Sequence, residues 1–259
     1  MTCTMGIDIG SAFSKGLIIC DRKIVGSYIT PSGGNYRLTA NKVKEELLSI
    51  SSLCEGDISY SIATGYGSKN VDFADDSLTD ISCHSRGVFY LFPTVKTIVD
   101  VGDLFSKAFR IDETGNPVNF LLSGKCAGGS ARILQKIANV LQVEINTIGE
   151  LSLRSKKRID FHTGCAVFAE TEAISRVAEG TATEDLLAGI HRALASQINS
   201  LADRVGIERD YALAGGGAKD IGLVKAIEEI VGFNVVVPVK PQMTAALGAA
   251  VIGIERVTL

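Results

Sequence analysis

The chain has no tryptophan, only three histidines among its 259 residues, and no pair of cysteines with C-x-x-C spacing. No apolar run reaches the roughly 18 residues that a membrane-spanning helix requires. The N-terminal sequence MTCTMGIDIG also lacks the basic segment and apolar stretch of a signal peptide. These absences predict a cytoplasmic protein that has no membrane partner.

The charge and apolar content are those of an ordinary globular protein. Lysine and arginine number 26 and aspartate and glutamate 29, so the net charge of −3 favours neither nucleic acid nor an anionic membrane as a partner. Apolar residues make up 46% of the chain, enough for one large α/β domain or two smaller ones. Because the cytosol is reducing, disulfides are not expected, and Cys3, Cys20 and Cys54 are interpreted as small buried hydrophobic residues.

An internal repeat sets the predicted architecture. The segment DIGSAFSKGLII begins at Asp8 and DVGDLFSKAFRI begins at Asp100, so an Asp-x-Gly and a Phe-Ser-Lys coincide in the two copies. In both copies an apolar strand ends at the Asp-x-Gly, a polar turn follows, and a second apolar strand begins. We predict two related β-hairpins, each with a carboxylate at the end of its first strand.

The residues shared by the two hairpins suit the binding of a nucleotide with Mg²⁺. Glycine permits close approach of the backbone to phosphate oxygens, and carboxylates hold Mg²⁺ through its water shell. Asp8 and Asp100 are therefore candidate catalytic residues. The candidate nucleotide-binding residues in these turns are Gly10, Ser11, Ser14, Lys15, Gly102 and Lys107. The alternative is a pair of ordinary hairpin turns.

A third glycine-rich segment lies near the C-terminus. A short apolar strand precedes Gly215, Gly216 and Gly217, and a helical pattern follows them. A strand–glycine–helix turn accommodates the ribose, base or phosphate of a nucleotide, so the three glycines are candidate nucleotide-binding residues. The segment is neither G-x-G-x-x-G nor a Walker A motif, so neither a dinucleotide-binding fold nor a P-loop is indicated.

The segment SGKCAGGSARIL places Cys126 before a glycine pair, Gly128 and Gly129, and an apolar helical pattern. A glycine-rich turn at the start of a helix is typical of a phosphate site, since backbone N–H groups and the helix dipole favour an anion there. A thiol in the same place is typical of a thiolate or a metal–sulfur cluster. The residues of this segment leave both interpretations open.

The rest of the chain alternates predicted helices and strands, which indicates an α/β protein in two related lobes. The predicted helices are Lys42–Ser52, Ser85–Leu91, Cys165–Ala178, Leu186–Val205 and Ala245–Val257. The predicted strands outside the hairpins include Ile58–Ala63 and Phe233–Val237.

Taken together, these segments resemble the sugar kinase, heat-shock protein 70 and actin superfamily. Within it the chain is similar to the ATP-hydrolysing activators of 2-hydroxyacyl-CoA dehydratases and the ATPase subunits of benzoyl-CoA reductases. The segments that carry the resemblance run nearly end to end: MGIDIGSAFSKGLI, IATGYGSKN, DISCHSRGVFYLFP, SGKCAGGSARIL, GCAVFAETEAIS, LLAGIHRALASQI, GGGAKDIGL and TAALGAAVIG.

The resemblance implies an α/β fold of two duplicated, ribonuclease-H-like lobes, which is an actin-like ATPase fold with a nucleotide cleft between the lobes. Residues 1–94 would form the first lobe, with a C-terminal helix at 245–259 packed back on it. Residues 95–244 would form the second lobe, which carries the cluster cysteines.

The resemblance also implies an iron–sulfur cofactor. In that family a homodimer holds one [4Fe–4S] cluster on its two-fold axis, and each chain contributes two cysteines, which by motif position are Cys126 and Cys165. ATP, ADP and Mg²⁺ are the other implied ligands. The implied activity is ATP hydrolysis that drives one-electron transfer from a ferredoxin or flavodoxin to an iron–sulfur dehydratase or reductase acting on a CoA thioester.

One loop departs from the family pattern. Dehydratase activators have D-I-G-G-Q-D at the second Asp-x-Gly, whereas this chain has D-V-G-D-L-F from Asp100. Asp103 would partly replace the missing water-orienting pair, and Glu170 is a further candidate catalytic residue. The loop is more similar to one ATPase chain of ring reductases, which makes a heterodimer with a sibling chain an alternative to a homodimer. A metabolite kinase and a non-hydrolysing nucleotide-binding subunit are the alternative functions.

Overall fold

The computed structural model describes residues 2–124, 129–161 and 165–258. The chain divides into two compact units. Unit 1 comprises Met1–Val95, Ile111–Pro117 and Met243–Leu259, and unit 2 comprises Lys96–Arg110 and Val118–Gln242. Each unit contains a hydrophobic core of its own.

The strands and helices alternate along the chain as the sequence predicts. The strands are β1 (Cys3–Ile9), β2 (Phe13–Cys20), β3 (Lys23–Pro31), β4 (Ile58–Thr64), β5 (Asp76–Ser77), β6 (Thr97–Val101), β7 (Ser106–Ile111), β8 (Pro117–Leu122) and β9 (Tyr211–Ala214). The helices are α1 (Tyr36–Ser51), α2 (Asp80–Leu91), α3 (Arg132–Leu141), α4 (Ile148–Ser152), α5 (Ala166–Ala178), α6 (Thr183–Val205), α7 (Ile221–Val231) and α8 (Thr244–Thr258).

Helices α1 and α2 begin well before the residues that their apolar periodicity predicts, because side chains outside the periodic stretch cap them. The Asn35 side chain accepts a hydrogen bond from the backbone N–H of Leu38, so α1 begins at Tyr36. The Thr79 hydroxyl accepts one from the N–H of Ser82, so α2 begins at Asp80. Such caps satisfy backbone donors that the first turn of a helix leaves without an intrahelical partner.

Unit 1 is built on a sheet with the strand order β3-β2-β1-β4-β5. Strand β1 is antiparallel to β2 and parallel to β4, and all seven of its residues are buried. Helix α8 packs so closely on β1 that a Cβ atom on Gly6 would lie 2.0 Å from the carbonyl oxygen of Ala246. Gly87 and Gly248 allow the same close approach between α2 and α8. Glycine is therefore required at these contacts by packing.

Unit 2 is built on a sheet with the strand order β8-β7-β6-β9, and β6 again pairs antiparallel with its hairpin partner and parallel with a later strand. The long helix α6 supplies much of the core through residues such as Leu187, Ile190 and Leu194, which pack with the buried face of β6. The two sheets thus repeat one arrangement, in which an antiparallel hairpin is flanked by a parallel strand.

Three local expectations from the sequence are wrong. Cys3 and Cys20 form a disulfide, because the β1–β2 register places them directly opposite each other. Cys54 is exposed, so it is not a buried hydrophobic residue. The predicted strand Phe233–Val237 is reduced to a single bridge between Ala212 and Val236.

Within the described ranges, no helix is both long and apolar enough to span a membrane.

Candidate functional site

The first Asp-x-Gly hairpin holds a buried ion pair. In the β1–β2 register Asp8 lies opposite Lys15, and the Lys15 Nζ atom is 2.6 Å from Oδ2 of Asp8. Asp8 is only 5% exposed, so the lysine compensates a carboxylate that burial alone would destabilise. The hairpin geometry therefore presents a negative and a positive group side by side at the strand end.

The turn of this hairpin is fixed by a serine that the motif does not include. The Ser32 hydroxyl donates to the carbonyl oxygen of Gly10 at 2.7 Å and lies 2.9 Å from the Ser14 hydroxyl. A Cβ atom on Gly10 would lie 2.6 Å from the carbonyl oxygen of Phe13, so the tight turn requires glycine there. Ser11 lies in the same turn and is half-buried.

The second hairpin repeats the ion pair and the glycine turn of the first. Asp100 lies opposite Lys107 in the β6–β7 register, and Lys107 Nζ is 2.8 Å from Oδ2 of Asp100. A Cβ atom on Gly102 would lie 2.7 Å from the carbonyl oxygen of Phe105. The predicted hairpins, carboxylates, lysines and glycine turns all exist in the structure, one set in each unit.

A glycine turn covers each carboxylate. Gly215 has a φ of +82°, and a Cβ atom on it would lie 2.2 Å from Oδ1 of Asp100. In unit 1, Gly65 has a φ of +88° and the same 2.2 Å distance to Oδ1 of Asp8. Gly217 and Gly67 both pack against the residue that follows the aspartate. Gly216 has open space around it and is exposed.

The sequence interpretation missed the turn at Gly65 and Gly67. A signal for it was present, because ATGYGSK in unit 1 and LAGGGAK in unit 2 both place Gly-x-Gly two residues before a lysine. Both segments also follow a strand that is parallel to the one ending in Asp-x-Gly. The duplication therefore extends beyond the hairpins to the strand and turn that pack beside each aspartate.

Two further candidate catalytic carboxylates lie in ion pairs in unit 2. Asp103 pairs with Arg132, and this contact raises the pKa of the Arg132 guanidinium. Oε2 of Glu170, on α5, lies 2.9 Å from Nζ of Lys136 on α3. Both carboxylates are therefore held by basic residues of α3 in this conformation, and a role for either in orienting water stays a prediction.

Cys165 lies directly before α5 and is half-buried. The backbone N–H groups of Phe168 and then Val167 hold the pKa of its thiol below its ordinary value. Helix N-termini stabilise thiolates in this way, and a thiolate is the form that binds iron. Cys126, the other predicted cluster ligand, lies outside the described residues. Among the residues that are described, no three His, Cys, Asp or Glu side chains are grouped so as to hold a metal ion.

Comparison with known proteins gives matches along nearly the whole chain. The sequence model of the BadF/BadG/BcrA/BcrD ATPase family matches residues 5–253. The chain is 36% identical over 253 residues to a 2-hydroxyisocaproyl-CoA dehydratase activator of Clostridioides difficile, which covers 98% of this chain and 95% of that protein.

Solved structures show the same fold. Component A of the (R)-2-hydroxyglutaryl-CoA dehydratase of Acidaminococcus fermentans matches with a TM-score of 0.96 and 35% identity over 100% of both chains. The activator of the Clostridium difficile 2-hydroxyisocaproyl-CoA dehydratase with bound ADPNP matches with a TM-score of 0.94 and 36% identity, covering 99% of this chain and 96% of that one. A ROK family glucokinase of Streptomyces griseus, with a TM-score of 0.60, 12% identity and coverage of 98% and 99%, shares the fold alone. The predicted fold class, an actin-like ATPase fold with two sheets, is confirmed.

Proposed function

Because the chain belongs to the BadF/BadG/BcrA/BcrD ATPase family, and is therefore an ATPase, we propose that it is the activator of an iron–sulfur enzyme that dehydrates or reduces a CoA thioester. In this proposal ATP hydrolysis drives the transfer of one electron from a ferredoxin or flavodoxin to that enzyme. The observation that carries it is the end-to-end similarity to an activator of a 2-hydroxyacyl-CoA dehydratase, together with a thiol of lowered pKa at the start of α5.

The duplicated hairpins would bind the nucleotide with Mg²⁺. Asp8 and Asp100 supply carboxylates at strand ends, and Mg²⁺ held through water is the usual partner of such groups in phosphoryl transfer. Lys15 and Lys107 keep the two carboxylates oriented through ion pairs of 2.6 and 2.8 Å. Backbone N–H groups at the glycine turns would bind phosphate oxygens, and Gly215–Gly217 would lie along the nucleoside.

The cysteines would hold a cluster shared by two chains, in a homodimer or a heterodimer with a sibling chain. Cys126 and Cys165 from each chain would provide four thiolates, and a [4Fe–4S] cluster bound there would supply one-electron chemistry. The described part of the chain fits this role at Cys165, because the N–H groups of Phe168 and Val167 favour its thiolate. The helix dipole of α5 adds to this preference for an anionic ligand.

Iron and sulfide analysis of the anaerobically purified chain, combined with its native mass, tests the cluster. We expect about four irons per dimer and loss of iron in Cys165→Ser. The control is Cys54→Ser, which removes an exposed thiol in unit 1, whereas Cys165 lies in unit 2, and this variant should keep its full iron content. ATP hydrolysis is measured separately on the same samples. An iron-free protein after reconstitution, or full iron content in Cys165→Ser, would contradict the proposed cofactor.

A further inference from the structure

A buried histidine contacts Asp220, which follows the Gly215–Gly217 turn, and it is not among the proposed nucleotide-binding residues. His191 is on α6 and is 1% exposed. Its Nδ1 atom is 2.8 Å from the carbonyl oxygen of Leu187, and its Nε2 atom is 3.1 Å from Oδ1 of Asp220. Two residues separate Asp220 from Gly217, the last glycine of the turn, so this contact links α6 to the end of the turn.

Asp220 is the point at which three helices meet. Its side chain accepts a hydrogen bond of 3.1 Å from the N–H of Leu223 and so caps α7, while its own N–H donates to the carbonyl oxygen of Gly217. A Cβ atom on Gly149, in α4, would lie 2.7 Å from Asp220 Oδ1. The Asp220 carboxylate is thus confined by α4, α6 and α7. The backbone N–H of the same residue closes the glycine turn.

The ring contacts make the link electrostatic. A carbonyl oxygen only accepts, so Nδ1 carries the proton that it shares with Leu187. Nε2 is buried and makes no hydrogen bond of good geometry among the described residues, yet it faces a carboxylate oxygen. A ring with protons on both nitrogens attracts that carboxylate, whereas a neutral ring would direct a lone pair at it.

The equivalent turn in unit 1 has a different support. Asn70 occupies the place of Asp220, and its Nδ2 atom donates to the carbonyl oxygen of Gly67 within the turn itself, at 3.1 Å. The amide is uncharged and closes the turn locally. The charged contact to a neighbouring helix therefore belongs to the unit 2 turn, where the nucleoside is proposed to bind.

We propose that His191 is a positioning residue for the nucleotide site. It holds Asp220, and through Asp220 the Gly215–Gly217 turn, in the conformation that accepts the nucleotide. The inference rests on the proposed role of that turn in nucleotide binding. His191 would increase the affinity for the nucleotide without contacting the nucleotide.

Binding of ADP to the purified holoprotein, followed by calorimetry, tests the proposal. Asp220→Asn keeps the α7 cap, since asparagine caps helices as well as aspartate, but removes the charge that faces His191. We expect Asp220→Asn and His191→Asn each to raise the Kd for ADP and the KM for ATP about tenfold, with kcat at saturating ATP within about twofold. The double variant should be no weaker than either single variant, because both remove one contact. His191→Gln, which keeps a donor able to reach Asp220, should recover part of the affinity.

His84→Asn is the matched control. His84 is also a buried helical histidine, with Nδ1 2.8 Å from the Thr244 hydroxyl, but it lies in unit 1. It should lower the melting temperature without changing the Kd for ADP. Folded His191→Asn protein with unchanged ADP affinity, or single effects that simply add, would overturn the proposal. Failure of the unmodified chain to bind ADP would contradict the proposed function itself, whereas unchanged ADP affinity in the variants would contradict only the role of His191.

A measurement on the unmodified chain covers the case in which the variants do not fold. The chain has three histidines, so ¹⁵N spectra of histidine-labelled protein resolve each ring. We expect the His191 signals to show a proton on Nε2, the nitrogen that lies 3.1 Å from Oδ1 of Asp220. A spectrum with an unprotonated Nε2 would refute the contact on which the proposal rests.

Discussion

The two Asp-x-Gly hairpins are alike where the backbone approaches the carboxylate and different in what supports them. In both units the aspartate faces a lysine across the hairpin, and a glycine with positive φ leaves 2.2 Å between a hypothetical Cβ and the carboxylate. In unit 1 the Ser32 hydroxyl bonds the hairpin turn, whereas in unit 2 the Ser106 hydroxyl has no partner among the described residues. The two units share the geometry that confines the aspartate, but they differ in the hydrogen bonds that support the hairpin.

A large destabilisation is expected from adding a methyl group where the two halves are most alike. Gly215→Ala places a Cβ atom against Asp100 and requires a positive φ, so we expect a loss of at least about 2 kcal/mol in the free energy of unfolding. Gly65→Ala should do the same in unit 1. Gly216→Ala, which has open space around it, is the control and should change the unfolding free energy by less than about 1 kcal/mol. Urea denaturation measures all three, and equal effects of Gly215→Ala and Gly216→Ala would refute this account.

The ion pairs of the two hairpins differ in how deeply they are buried. The side chains of Lys107 and Asp100 are 7% and 5% exposed, against 13% and 7% for Lys15 and Asp8. Because a buried charge left without its partner costs about 3–5 kcal/mol, Lys107→Met should destabilise the chain by about that much, and Lys15→Met by somewhat less.

Lys225→Met is the control for these two variants. Its pair with Glu228 lies 2.7 Å apart with Lys225 53% exposed, so the change should cost less than about 1 kcal/mol. Chemical denaturation at low and high salt gives the comparison. A cost for Lys107→Met as small as that of the exposed control would show that the buried pair does not stabilise its hairpin.

The smallest expected effect concerns the turn between strands β7 and β8. Hydrogen bonds from Asn116 and Thr114 lower the pKa of Asp112 to about 2. A carboxyl group whose pKa is lowered by folding stabilises the protein above its unfolded pKa of about 4, and that contribution is lost as the pH falls toward 2. Asp112→Ala should therefore lower the melting temperature slightly at pH 6 and hardly at all near pH 2. An equal shift at both pH values would exclude the ionised carboxylate as the cause.

Local sequence was sufficient to predict the two hairpins and most helices. The Asp-x-Gly turns, their lysines and the glycines at 215–217 follow from patterns within a dozen residues, and the structure places them in hairpins and turns. The early starts of α1 and α2 were missed because Asn35 and Thr79 act through side-chain caps that apolar periodicity does not register. The strand expected at Phe233–Val237 failed because apolar content alone does not establish strand pairing.

The sequence by itself determined the duplicated plan, because hairpins, glycine turns and helix periodicity depend on neighbours along the chain. Only the tertiary structure decided which distant groups support that plan. Ser32 reaches Gly10, Gly65 packs on Asp8, and His191 faces Asp220 across separations that no local pattern encodes. The disulfide between Cys3 and Cys20 belongs with them, since strand register brought the two thiols together. Contacts between distant residues follow from how the sheets and helices pack, and packing is a property of the whole fold.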